Sequence, residues 1–156
     1  MSLLEICHSL EYLPVLIEMR SSPWIFPIIA ILHLFGLVII GGAVVVGDLH
    51  LLSYRLTPQL VDRIAHDMER LLIAGLLVMV ITGVPLFMCF ATKYYYLTPF
   101  WVKLSSLILV IIFTFTIRRN ALTRYRENPV VKKMIALTSL SLWTSVALSG
   151  RLIGFP

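Results

Sequence analysis

From Trp24 to Val46 the chain carries no Asp, Glu, Lys or Arg. A helix of that length covers the roughly 30 Å of bilayer hydrocarbon at about 1.5 Å per residue. In lipid it also satisfies its own backbone hydrogen bonds, which no open strand does. The stretch is therefore read as a first membrane span. Pro23 and Pro27 stand in its opening turns, where a missing N–H costs little, and Asp48 is expected to close it.

Three more apolar stretches follow, from Leu71 to Ala91, from Phe100 to Ile117 and from Met134 to about Ile153. With the first (24–46), these give spans at about 71–91, 100–117 and 134–153, joined by short connections. The 156 residues are 59% hydrophobic and 13% charged, with a mean hydropathy of +0.94. Soluble domains have about 45–50% apolar and about 25% charged residues, so a soluble enzyme is excluded, and scarce charge excludes disorder. The expected fold is an all-α integral membrane protein: one domain over 1–156, built as a four-helix transmembrane bundle. Residues 2–20 are apolar at helical intervals but carry Glu11 and Glu18, which suits an amphipathic helix lying on the membrane surface, broken or bent at Pro14.

The formal charge of +5 is read through topology rather than as a nucleic-acid footprint. Arg55, Arg63, Arg70, Arg118, Arg119, Arg124, Arg126, Lys132 and Lys133 fall on one side of a four-span chain. Only Arg20, Lys93, Lys103 and Arg151 fall on the other. The positive-inside rule then places both termini outside, periplasmic if the membrane is a bacterial inner membrane. Tyr94–Tyr96, Trp24 and Trp101 fall at the same outer interface, where aromatic belts belong. No basic head precedes the first apolar segment, so Met1–Arg20 is not expected to be a secretory leader. Cys7 and Cys89 form no C-x-x-C pattern, so neither a zinc ribbon nor covalent haem is expected.

His33 is the histidine inside a span, about 14 Å beyond Trp24 along the helix axis. Stepping by three and four from it gives Gly36, Ile40, Ala43 and Gly47, a small-residue face that a helix or a flat cofactor approaches closely. An ionisable residue within a span is a functional-site candidate. The structural alternative is a neutral histidine bonded to a hydroxyl of span four. Lys103 opens span three and Arg151 ends span four at the same depth, so His33, Lys103 and Arg151 are expected to converge. Two cations there suit a haem propionate or a quinone head; snorkelling to interfacial water is the alternative. Thr138, Ser141, Ser145 and Ser149 form a stripe expected to join helices by hydrogen bonds. Gly75 and Thr82 give span two a small face, and Asp48 is expected to pair with Arg55, Arg118 or Arg119. His8, His50 and His66 have no fixed partner in the sequence.

From about Ser22 to Phe155 the chain resembles an uncharacterised bacterial family of small four-span membrane proteins. The matching pieces are Ser22-Pro23-Trp24-Ile25-Phe26-Pro27, His33-Leu34-Phe35-Gly36, Gly47-Asp48-Leu49-His50-Leu51-Leu52, Lys103-Leu104, Ser141-Leu142-Trp143 and Gly150-Arg151-Leu152-Ile153. The likeness implies fold and topology and carries no activity. More distantly, His33, Met68-Glu69-Arg70-Leu71-Leu72 and Trp101-x-Lys103-Leu104 are similar to the haem-containing membrane protoporphyrinogen oxidases and the copper-resistance membrane domains. That likeness implies that His33 and Lys103 serve haem. Where the oxidases have Trp-x-x-Gly-Leu, this chain has Val38-Ile39-Ile40-Gly41-Gly42.

The leading expectation is a b-type haem in the outer half of the bundle. His33 is its axial ligand, Lys103 and Arg151 stand by its propionates, and Gly36 leaves room for the ring. The role is electron transfer, with quinone or within a larger membrane redox complex. A cofactor-free accessory subunit is the second expectation. Copper handling by Cys7, His8, Met88 and Cys89 is the third.

Overall fold

The computed structural model describes residues 3–52, 58–120 and 128–154, and these form helices with no strand among them. The elements are α1 (Leu3–Glu11), α2 (Pro14–Ser21), α3 (Ile25–Leu52), α4 (Pro58–Cys89), α5 (Ala91–Tyr96), α6 (Thr98–Ile112) and α7 (Pro129–Leu152). A π-helical turn over Phe113–Arg118 continues α6. Arg55, Arg124 and Arg126, used in the charge argument, lie outside the described residues.

Local chemistry accounts for the boundaries. Pro14, Pro99 and Pro129 each stand in a first helical turn, where fixed φ suits the helix and no N–H is missed. The Asn128 side chain caps α7, its oxygen accepting from the N–H of Val130 at 3.0 Å and of Val131 at 3.3 Å. The amino-terminal segment, expected to be broken or bent at Pro14, is two short helices divided just before it: Pro14 has no N–H to continue α1, and its ring holds Leu13 in an extended conformation. The connection expected at Thr92–Pro99 contains the extra helix α5. Glu11 supplies the reason: its carboxylate accepts from the Thr92 N–H and the Thr92 hydroxyl, both at 2.9 Å, satisfying a first-turn donor that otherwise has no partner.

Among the described residues, three helical stretches are long and apolar enough to cross a membrane: Ile25–Leu52, Arg63–Cys89 and Thr98–Arg118. The fourth expected span is a helix of 24 residues, α7, but it is not in that class. Thr138, Ser139, Ser141, Thr144, Ser145 and Ser149 lower its hydropathy, as do Lys132, Lys133 and Arg151 at its ends. The first span does not close at Asp48; α3 continues to Leu52. Asp48 is fully buried and ion-paired to Arg118 at 2.8 Å, so its charge is compensated inside the helix packing.

Helix α3 packs along α4 and α7, and α7 packs along α6. Among the described residues there is no comparable interface between α4 and α6, and of their ring contacts only Phe87 and Phe100, 5.1 Å apart and nearly parallel, join them. The central core gathers Ile40, Ala43, Val44, Leu72, Val110, Trp143 and Val146. Hydrophobic burial does little to hold helices together in lipid, so close backbone approach matters more. Gly36 and Gly75 provide it. A Cβ on Gly75 would stand 2.7 Å from Ile40 Cγ1 and 3.2 Å from the Gly36 carbonyl oxygen, and one on Gly36 would stand 3.0 Å from Met79 Cγ. At the α5 end, Leu16, Met19 and Cys89 are buried together and seat α2 on the bundle. Arg20 adds a hydrogen bond of 3.3 Å to the Cys89 carbonyl and lies over the Phe90 ring.

Candidate functional site

The gap between α4 and α6 is a cavity of about 750 Å³, within the range of about 300–1,000 Å³ usual for ligand sites. Its floor is α3 and α7, through Leu37, Ile40, Trp143 and Val146, and α1 covers one end with Ile6, Cys7 and Leu10. Nearly all of the lining is apolar. His33 and Lys103 are its titratable nitrogen groups, so the expected meeting of these two residues is found.

The imidazole is held from one side. His33 Nδ1 lies 2.9 Å from Thr82 Oγ1, and the Thr82 hydroxyl is 2.6 Å from the Val78 carbonyl oxygen. A carbonyl only accepts, so the single hydroxyl proton goes to Val78 and Thr82 accepts from the His33 Nδ1–H. In the neutral ring this leaves the lone pair on Nε2. Gly83 gives the ring its seat, because a Cβ there would stand 3.0 Å from His33 Cε1. Lys103 is half-buried and reaches across α7, its ammonium nitrogen 3.5 Å from where a Gly150 Cβ would be. Its charge is felt at His33.

Arg151 and Gly36 are not part of this lining. Arg151 is exposed on the last turn of α7, and Gly36 belongs to the α3–α4 crossing described above. The hydroxyl partner of His33 comes from α4 rather than from the α7 stripe. Ser141, Ser145 and Ser149 instead donate back to carbonyls of their own helix, Leu137, Leu142 and Ser145, at 2.7–2.8 Å. Such bonds place each hydroxyl's single proton within α7 itself. Ser139, outside the expected stripe, does reach another element: it accepts from Arg118 at 3.4 Å. The Thr82 contact had a signal in the sequence. Thr82 is seven residues from the Cys89 end of α4 and His33 eight from the Ile25 start of α3, which puts both about 10–12 Å deep in antiparallel neighbours.

The α5 end of the cavity is aromatic. Phe87, Tyr94 and Phe100 stack with centroids 5.1–6.3 Å apart, and Tyr95 meets Trp101 edge-on at 6.0 Å. Burial pushes the Tyr94 phenol up, with Cys89 adding to the effect, so it stays neutral within the stack. Cys7 and Cys89 are buried free thiols. Among the described residues no three His, Cys, Asp or Glu side chains gather as a metal cluster. The copper set of Cys7, His8, Met88 and Cys89 therefore has no such cluster behind it. At the opposite end a smaller cavity of about 180 Å³ lies beside Glu69, Thr114, Arg118 and Arg119.

Compared with known proteins, the chain matches one family model, described as a family of unknown function (DUF6644), over residues 25–156. No curated protein and no solved structure matches it.

Proposed function

The chain belongs to this family of unknown function, and from that premise we propose that it is a small integral membrane protein that binds b-type haem between α4 and α6. The observation that carries the reading is His33: its Nδ1 proton is committed to Thr82, and its ring lines an apolar cavity of about 750 Å³ beside Lys103. Metal-ligating histidines typically donate their second ring N–H to such a partner, which fixes the tautomer and the ring orientation. The residues present fit the group: a neutral imidazole for iron, a cation for carboxylates and apolar walls for a flat macrocycle. Haem, when bound, supplies one-electron transfer, its potential tuned by axial ligation and surroundings. His33 would hold the iron, Thr82 orients His33, Lys103 would balance a propionate, and Phe87 with Phe100 closes the α5 end to water. The electron partner in this reading is quinone or a larger membrane redox complex.

Helix α7 is read as the fourth span, with its hydroxyls satisfied internally, and α1–α2 as the surface segment. With four crossings, both termini lie on the outer face of a bacterial inner membrane. Labelling of a terminal tag by a membrane-impermeant reagent in intact cells checks this; a tag reached only after permeabilisation would reverse the orientation.

The test of the site is an oxidised-minus-reduced visible spectrum of protein purified in mild detergent, with haem quantified per chain. The expected result is a reduced α-band at about one haem per chain, lost in His33→Ala while the protein stays folded by circular dichroism. Full haem content in His33→Ala would refute the assignment. A metal-free, featureless spectrum from folded wild type would favour the cofactor-free accessory subunit, in which Thr82 simply satisfies His33.

A further inference from the structure

The cavity has an open side, and the surroundings say what comes through it. At the α5 end it is closed by α1, which lines it with Cys7, and by the Phe87–Phe100 contact. Glu11 clasps α1 to α5 through two 2.9 Å hydrogen bonds. Away from that end, α4 and α6 diverge without an interface, and the residues along the gap are at once cavity lining and outward-facing surface: Leu77 is 57% exposed, Val80 55% and Leu104 39%. Both helices belong to the stretches able to cross a membrane, so the surface they present along the gap faces acyl chains.

We propose that this site is loaded sideways from the bilayer, through the gap between α4 and α6, and that its ligand is a lipid-borne amphiphile with an acidic head. Lys103 supplies the counter-charge for the head, near the α5 end. The apolar walls running inward from it, Leu107 on one side and Leu76 on the other, receive the hydrophobic body. A water-borne ligand has to pass the clasped α1 cover, whereas a membrane-dissolved one passes no protein. The proposal rests on the haem reading only for the identity of the ligand: haem itself dissolves in bilayers and carries two carboxylates. In that case the chain exchanges haem with the membrane pool rather than locking it in at folding.

Two measurements on the full chain in vesicles separate the route from the ligand. The first is quenching by phospholipids brominated in the acyl chains, read as the difference between wild type and Trp143→Phe. Trp143 is 7% exposed on the cavity floor, so its quenching is expected only if chains enter the gap. The second is the rate at which the apoprotein takes up haem from haem-loaded vesicles. It compares wild type with Val80→Cys/Leu104→Cys bridged by a bismaleimide, and reagent-treated wild type controls for Cys7 and Cys89. Bridging is expected to abolish the Trp143 quenching and to slow uptake at least tenfold. An unquenched Trp143, or uptake at an unchanged rate after bridging, would overturn the lateral route. Quenching that bridging removes, in a protein that never takes up haem, would uphold the route and remove haem as the ligand.

Discussion

Thr82 spends its only proton on Val78, and the role assigned to His33 follows from that choice. A hydroxyl already donating within its own helix accepts from the next, which turns a two-tautomer ring into a one-tautomer ring. Thr82→Val keeps the shape and removes the acceptor. The expected outcome is a fall in haem affinity of about 10–100-fold with the α-band retained, since outer partners of metal-bound histidines carry effects of that size. Haem titration into the purified apoprotein measures it, and unchanged affinity would leave Thr82 as mere packing. At this scale the sequence was legible in part. His33 and Lys103 stood out because ionisable groups in apolar stretches are rare, and both line the cavity. Arg151 did not join them, because helix rotation depends on packing that a single chain of letters does not display. The serines of α7 give their protons to carbonyls of their own helix, which are always in reach whereas another helix is not.

Among the elements, the α3–α4 pair is set by two glycines. A Cβ at Gly75 meets backbone on the facing helix, the Ile40 nitrogen at 3.2 Å and the Gly36 oxygen at 3.2 Å, and backbone cannot step aside as a side-chain tip does. Gly75→Ala is therefore expected to destabilise the folded protein by about 1–3 kcal/mol, the range for overpacking. Gly41→Ala, where nothing lies within 4 Å, is expected to be silent. Thermal unfolding of both in one detergent checks the contrast, and equal midpoints would count against a close crossing. Hydropathy located three of the long helices well. It marked their ends less well, because Asp48 was taken as a stop when its partner Arg118 lies 70 positions further on. The π turn over Phe113–Arg118 ends on that arginine and changes the direction of the side chains after Ile112. No simple pattern in the letters announces it.

For the molecule as a whole, the Asp48–Arg118 pair is the polar counterweight to the cavity at the other end. It joins α3 to the end of the α6 segment, and Arg118 extends the link to Ser139 on α7. Removing one member strands a charge out of water. Asp48→Leu is expected to cost about 3–5 kcal/mol, while Asp48→Leu/Arg118→Met recovers most of it, as apolar replacements of buried pairs do. Arg118 is 14% exposed, which puts the single-variant loss toward the lower end. Unfolding in detergent of both variants decides; a double variant as weak as the single would mean that the pair contributes more than mutual neutralisation. An uneven bundle, with α3 and α7 at its middle and α4 and α6 parted, could not be read from four apolar stretches, since every arrangement of four spans has the same hydropathy trace.

The contact between Glu11 and Thr92 spans 81 positions of chain, and that separation orders events in time. A ribosome adding about 5–20 residues per second needs roughly 4–16 s to deliver Thr92 after Glu11. Through that interval α1 has no α5 to hold, while α3 and α4, both long and apolar enough to cross a membrane, are being made. The cover is thus fastened only after α3 and α4 have been made, and the cavity beneath it is completed later still, when α6 and α7 arrive to supply its wall and floor.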